Sequence, residues 1–471
     1  MSQPPLVTEE MIARQPPEAQ AIIRILLAHI ATLEDKIEQL EARLNKTPRN
    51  SSKPPSSEHP HAKPKPSRKR SDRKPGGQPG HDKHARTLIP AEHCAAVVPL
   101  KPENCRRCGT KLLGRDESPL RHQVWELPEI QPVVTEYQRH RLCCAHCGAT
   151  TCAVLPAGVP ESQAGPRLTA LVALLMGNYR QSKRRTATFL AQCWNIPASP
   201  GWIVKLQNWA TRALAPAYDE LKRRLPREPV LGIDESPTKE GPLKSWLWTF
   251  VAEKFTLFAQ RTTRQGTVLD EHLSESFAGI VTCDRAKMYW RLPQLQWCWS
   301  HLQRDFQALA DHPNGQVKRL GRDLLGPTGE LFGLWRRCRD GTLTRTGLKR
   351  LLKSIRERIE GLLLRGLFSG NSKLRGMCGE LYAHRDRLWR FAEVEGVEPT
   401  NNGSERALRP AVIWRKLSFG TGSASGSRFV ETLLSVVETC RRQSRSVFEY
   451  LTTALAAHTT NQPVPSLLSG V

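Results

Sequence analysis

The first regular pattern along the chain is a heptad. Ile23, Ile30, Ile37 and Leu44 recur every seven residues, and Leu26, Leu33 and Leu40 fall three positions after the first three. Isoleucine at one seam position and leucine at the other predicts a two-stranded parallel coiled coil over 19–46. Asn45 and Pro48 mark its end. The alternative is an amphipathic helix docked on its own globule. Residues 1–18 are polar and dotted with proline, and are expected to be disordered. Beyond the heptad the large apolar positions nearly stop. Residues 46–86 hold twelve Lys and Arg against three acids, a net of +9. A stretch of this kind cannot offset its ordering entropy by burial, so 47–87 reads as a flexible basic linker that meets phosphates without regard to sequence.

Apolar periodicity returns after residue 165. The segments 166–180, 182–194 and 200–225 each follow a helical repeat, and Lys183, Arg184 and Arg185 stud the second. Residues 161–228 are therefore a candidate helix-turn-helix-like domain, or a helical connector that only packs. From residue 229 the period shortens. The run 230–233 is an apolar strand ending at Asp234, 246–260 carries two more strands, 266–277 is helical, and 279–283 is a buried strand ending at Asp284. Strands around a helix predict an α/β layer. Residues 302–395 turn helical and basic, with a net charge of +8, and Thr400-Asn-Asn402 is a helix start with Glu405 in its first turn.

Charge and cysteine content narrow the chemistry. The 471 residues carry 70 Lys and Arg against 45 Asp and Glu, a formal charge of +25, for which a polyanion is the default partner. The longest apolar run, 168–177, is far short of the ~20 residues of a membrane span. With no leader pattern at the N-terminus, the expectation is a soluble cytoplasmic protein associated with the nucleoid and not with a membrane. Thirteen cysteines in that setting point to metal ligands and core fillers. Cys105-Arg-Arg-Cys108-Gly and Cys144-Ala-His-Cys147-Gly can set four thiolates around one tetrahedral zinc, structural because four protein ligands leave no open position. Cys143, Cys152 and His146 are spare ligand candidates. The intervening residues, 131–142 above all, alternate as the strands of a zinc ribbon over 88–160 would.

Asp234 and Asp284 both follow apolar strands, at the edge of an open α/β sheet where ligands bind. Carboxylates gathered there repel one another unless a cation intervenes, and a third acid, Glu405, could close a site for two magnesium ions. Each acid alone reads more simply as a helix cap or a solvated strand end.

Longer motifs carry a resemblance. Val281-Thr-Cys-Asp284, Cys298-Trp-Ser-His301-Leu-Gln-Arg304-Asp-Phe306 and Asn401-Asn402-Gly-Ser-Glu405-Arg406-Ala-Leu-Arg409-Pro410 resemble the large transposase of the IS66 family of bacterial insertion sequences. Arg415-Lys416, Phe419-Gly420, Leu434-Ser-Val-Val-Glu438-Thr439, the segments 50–57 and 74–81 and both cysteine hooks extend the likeness over nearly the whole chain. The resemblance implies a DDE-type DNA transposase. Its fold would be multidomain α/β, with an RNase H-like catalytic domain in two parts, 229–301 and 399–460, around a helical insertion at 302–398, and a tail at 461–471. Asp234, Asp284 and Glu405 would bind two Mg or Mn ions for DNA cleavage and 3′-hydroxyl strand transfer. Cys298 and His301 would support the site or touch DNA. Arg406 and Arg409 follow Glu405 on its helix, placed either to hold the scissile or flanking phosphate or to pair with an acid at the core edge. Implied partners are the terminal inverted repeats, target DNA, a second copy through the coiled coil, and small accessory proteins of the same element. The chain departs from the commoner pattern at Glu235-Ser236-Pro237 and Arg285-Ala286-Lys287, which bears on loop shape and leaves open whether Glu235 contributes. Two other readings stand beside this one: a zinc-ribbon DNA-binding regulator without catalysis, and an RNase H-like nuclease that cuts without joining.

Overall fold

The computed structural model describes residues 7–44, 46–47, 50–51, 86–275 and 277–468. Nearly all of the linker expected over 47–87 lies outside the described residues. The chain divides into two compact units, residues 59–133 and residues 1–58 with 134–471. The described part of the smaller unit has one turn of 3-10 helix, Ala91–His93, and an isolated bridge from Asn104 to Lys111 that closes the first cysteine hook.

The larger unit opens with α1 (Glu9–Ala13), where Thr8 Oγ1 accepts from the Met11 amide at 3.3 Å. A side-chain cap and two acids in the first turn are enough to order a segment expected to be disordered. Helix α2 (Pro17–Leu44) is unbroken, with Ile30, Leu33, Ile37 and Leu40 of the heptad exposed. Its far end is tied down by Asn50 just beyond, which donates to Asp311 at 3.0 Å. Next comes a small antiparallel pair, β1 (Arg141–Cys143) and β2 (Thr150–Cys152). Residues 131–140 alternate in sequence but form no strand, because no partner segment supplies a ladder.

Helices α3 (Pro166–Gly177), α4 (Lys183–Trp194) and α5 (Pro200–Arg224) start where the sequence places caps. Ser182 and Ser199 accept from the amides of Arg185 and Trp202 at 3.2 and 3.1 Å. They do not form the separate domain expected over 161–228. Ala170, Val172, Ala173 and Met176 leave α3 apolar around most of its girth, so it must be covered, and it shares one core with α5 and the sheet. Tyr218 of α5 donates to the Phe258 carbonyl at 2.8 Å.

That sheet contains β3 (Val230–Glu240), β4 (Leu243–Val251), β5 (Thr256–Arg261), β6 (Ile280–Cys283) and β7 (Leu295–Trp297), with α6 (Thr267–His272) between β5 and β6. The spatial order is β5-β4-β3-β6-β7; the first three strands are antiparallel, while β6 and β7 run parallel to β3. The pairing of β6 reaches only Gly232 of β3, so the later half of β3 is open on that side and can contain Pro237. The expected helical stretch follows as α7 (Trp299–Ala310), α8 (Gly315–Arg339), α9 (Arg345–Leu367), α10 (Ser372–Ala383) and α11 (Arg390–Glu393). Helices α12 (Asn402–Ser418), α13 (Ala424–Arg442) and α14 (Val447–Thr459) complete the unit. The segment expected to be a plain tail is anchored: Leu467 is fully buried and its amide donates to Glu220 at 2.9 Å. Among the described residues no helix is long and apolar enough to cross a membrane.

Helix α13 seals the sheet edge. The outward amides of Thr256, Phe258 and Gln260 donate to Thr439 Oγ1, Ser435 Oγ and Glu431 Oε2 at 3.2, 2.9 and 2.8 Å. Four residues of helix rise about 6 Å and two residues of strand about 6.6 Å, so side chains at every fourth helical position meet alternate strand amides. A Ser435→Ala substitution leaves the Phe258 amide buried and unpaired. The expected loss is about 1–3 kcal/mol, read as a lower denaturant midpoint at unchanged slope.

Candidate active site

Asp234 stands on the central strand β3, and Asp284 follows directly after β6. The parallel register sets Val230, Leu231 and Gly232 opposite Ile280, Val281 and Thr282. The pairing ends two residues short of Asp234 and Asp284, so both acids lie just beyond the last paired positions of adjacent strands. Glu405 arrives from the first turn of α12, which lies over β3 and β4. Asp234 is half-buried, and desolvation pushes its carboxyl well above the ordinary range. The charges of Glu235, Glu405 and Asp284 push in the same direction, while the Glu235 amide, donating to Asp234 Oδ1 at 3.0 Å, opposes them. Burial also raises Glu405, with Arg304 lowering it and Asp284 raising it. The three acids, far apart in sequence, feel one another's charge, although the close group of candidate ligand atoms among the described residues is Cys298, His301 and Glu405 and not these three. No side-chain cation forms an ion pair with Asp234 or Asp284 among the described residues.

Two contacts hold α12 in place. Asn401 Nδ2 donates to the Ile233 carbonyl at 2.7 Å, and the Asn401 amide lies 3.1 Å from Cys298 Sγ. Gly232 supplies the clearance: a Cβ there would come within 2.3 Å of Ser404 Oγ and 3.1 Å of Asn401 Oδ1. The helix carrying Glu405 therefore rests on a strand position with no side chain. Asn401 was legible in sequence as a helix start; Gly232 read only as an apolar strand residue.

Cys298 and His301 come together beside the third acid. Ligand atoms of Cys298, His301 and Glu405 all lie within 4.8 Å of one another, and His301 Nδ1 is 3.7 Å from Glu405 Oε1. Burial lowers His301 to about 4, so the ring is neutral at pH 7, and burial raises the Cys298 thiol. Glu235 lies on the other face of β3. Its carboxylate is gripped by Arg264 Nη2 at 2.6 Å and by the Tyr289 hydroxyl, so it braces the strand from below. Arg285, next to Asp284, pairs with Asp305 at 2.6 Å and Glu380 at 3.0 Å and ties the loop to α7 and α10. These braces were invisible in the sequence because each joins residues separated by 20 or more positions.

Arg406 and Arg409 are exposed on α12 and form no ion pair with a described acid. Lys183, Arg184 and Arg185 form the exposed first turn of α4. Trp297 and Trp299 are fully buried core residues, and Trp290 packs against Trp297 and His384. The stretch 420–426 is not the flexible turn its serines and glycines suggest. Gly420 has φ +110°, the Thr421 amide donates to the Lys239 carbonyl at 2.9 Å, and Ser423 caps α13.

The two cysteine hooks have the same backbone turn. The amides of Cys105 and Cys144 donate to the carbonyls of Thr110 and Ala149 at 2.8 and 2.9 Å. The amides of Gly109 and Gly148 donate back to the Cys105 and Cys144 carbonyls at 2.9 Å each, with φ of +76° and +70°. Hydrogen bonding to Thr110 lowers the Cys108 thiol to about 7, and neighbouring backbone amides lower Cys144.

Residues 161–428, more than half of the chain, match the model of the Transposase IS66 family, and residues 102–148, which contain both hooks, match the zinc-finger binding domain of transposase IS66. Residues 3–87 match a family of unknown function. The chain belongs to the IS66 transposase family, a DNA-processing class, and its zinc-finger segment supports a structural zinc. Among curated relatives, the uncharacterized protein y4hP of Sinorhizobium fredii is 23% identical over 388 residues, covering 73% of this chain and 68% of that protein. The uncharacterized protein y4qI of the same organism is 27% identical over 247 residues, covering 47% of this chain and 45% of that protein. This chain thus spans about half of the length of y4qI.

The seat of α12 is open to a direct measurement. Gly232→Ala is expected to cost about 1–3 kcal/mol by overpacking. Ser404→Ala, which removes the oxygen in the way, should be nearly neutral alone and restore most of that loss in the double variant. Strict additivity in the denaturation midpoints would show that α12 does not rest on this glycine.

Proposed function

We propose that the chain is the DDE transposase of an insertion sequence, with Asp234, Asp284 and Glu405 as its metal-binding triad on an RNase H-like domain. The observation that carries this reading is the half-buried Asp234 carboxyl, crowded by the charges of Asp284 and Glu405 at the strand edge. The sheet order β5-β4-β3-β6-β7, with a helical insertion before α12, supports the fold assignment. Oxygen donors, with Asp234 and Asp284 unpaired by any described side-chain cation and Glu405 3.7 Å from Arg304, fit a hard divalent ion, Mg or Mn. When bound, two such ions would supply Lewis-acid stabilisation of the attacking and leaving oxygens of an in-line displacement. Cys105, Cys108, Cys144 and Cys147 are the proposed zinc ligands of an end-binding finger.

The protein's own side chains do the positioning. Asn401 and Gly232 fix the height of Glu405 over β3, Arg285 fixes the loop of Asp284, and partial burial limits water around the acids. Arg406 and Arg409 face outward on the helix of Glu405, available to hold phosphates that flank the scissile bond. Water opens the element end to a 3′-hydroxyl, and that hydroxyl then attacks a target phosphodiester; neither step needs a covalent link to the protein. Asp284→Asn is expected to keep end binding while losing both Mg-dependent nicking and strand transfer by at least a thousandfold, about 4 kcal/mol of barrier. A variant that still cuts would remove Asp284 from the triad. Wild-type chain that nicks but never joins would be a nuclease, and chain that binds without nicking would be a regulator.

Self-association is proposed through α2, whose apolar heptad positions lie exposed along most of the helix. Replacing Ile30 and Ile37 together by Asp should halve the mass seen by light scattering without changing the thermal midpoint of the rest of the chain. An unchanged mass would exclude this seam.

A further inference from the structure

Beside the triad, under the C-terminal half of α12, is a cavity of about 370 Å³ that the proposed chemistry does not use. The volume is within the roughly 300–1,000 Å³ of small-ligand clefts. Ser236 and Pro237 of its lining are two and three residues beyond Asp234 on β3. Arg415 of its lining is ten residues beyond Glu405 on α12, roughly 15 Å along the helix axis. We propose that this cavity takes one unpaired nucleotide of the DNA strand, its base inside and its phosphate at the rim. The inference rests on the reading of the chain as an enzyme that acts on DNA.

The inner wall suits a base. Trp414 and Phe429 meet edge to face at 6.1 Å and 88°, giving an aromatic surface against which a flat ring can pack. Gln207 of α5 lines the same space. It is 4% exposed, and its amide makes no hydrogen bond to any described residue. Its amide offers one acceptor and two donors to the cavity, the groups that read the edge of a nucleobase. Gln260 uses its nitrogen on Thr421 at 3.2 Å, leaving its oxygen as a second acceptor.

The rim suits a phosphate. No Asp or Glu lines the cavity. Lys183 lines it from the first turn of α4 and forms no ion pair with a described acid. Arg415 also lacks an acidic partner; its guanidinium donates to the Pro237 carbonyl, which turns it across the cavity mouth. The N-terminal turns of α4 and α13, capped by Ser182 and Ser423, both border the space and add their positive ends. A phosphate with a flat ring attached satisfies both halves, whereas a free phosphate would leave Gln207 and the aromatic wall unused.

The test uses the full chain and two DNA probes of the same sequence, one fully paired and one with a single unpaired 5-iodouracil nucleotide. Photocross-links to the unpaired probe, located by mass spectrometry, are expected on peptides carrying Trp414 or Phe429. Gln207→Leu should weaken binding of the unpaired probe about five- to tenfold relative to the paired one. Lys183→Ala, an exposed change that the fold tolerates, should weaken the unpaired probe severalfold and lower the salt slope of its binding by about one. Cross-links confined to other segments, or identical preference for the two probes in wild type and both variants, would overturn the cavity as a nucleotide site. Mg-dependent nicking by the same wild-type preparation reports on the catalytic reading separately. A chain that nicks but shows no preference for the unpaired probe loses only the cavity, and one that captures the nucleotide but never nicks loses the catalytic reading.

Discussion

Carboxylates that repel one another are held together in a space partly withdrawn from water, and the rest of the larger unit is arranged to keep them there. Asp234 is the most constrained, with burial and the charges of Glu235, Glu405 and Asp284 all disfavouring its ionised form. The polar groups around the site follow from the same requirement. Arg264 and Tyr289 secure Glu235 on the opposite face, Arg285 ties the second loop to the helical insertion, and His301 stays neutral next to Glu405.

Helix α12 is the element through which this arrangement is completed. Its first turn brings the third acid, its outer face carries Arg406 and Arg409, and its last turns roof the cavity lined by Trp414 and Arg415. Its position depends on a missing side chain at Gly232 and on one amide, Asn401, bonded to the strand carbonyl just before Asp234. Across the sheet, α13 meets the edge strand with three polar side chains at a matching rise, which stops the ladder from recruiting another strand. Two adjacent helices thus serve different purposes: α13 closes the sheet, and α12 equips it for chemistry.

The cationic groups are distributed in a way that fits a long polyanion. Exposed arginines and lysines occur on α4 and α12 and through the helical insertion, and the zinc-finger segment that matches the family has its own basic residues between and beside the hooks. Asn50, just beyond α2, attaches the end of that helix to Asp311.

Sequence alone determined whatever depends on neighbours a few residues apart. The helices α3 to α5 begin at the prolines and serines that mark them, the heptad folds as one helix, the strands before Asp234 and Asp284 are where short apolar runs put them, and each Cys-x-x-Cys-Gly makes its knuckle. Tertiary structure decided what depends on distant partners. It left residues 131–140 without a ladder, added the three-residue strand β7, merged α3 to α5 into the core of the sheet, and turned the serine- and glycine-rich run 420–426 into a cap. It also placed Cys298 and His301 against Glu405, over a hundred residues away, and set Gln207 in the lining of a cavity. Local signals are written in backbone preference and periodicity, which a sequence displays directly. The meeting of Gly232 with Ser404, or of Asp234 with Asp284, is a product of packing between whole elements, and no spacing along the chain encodes it.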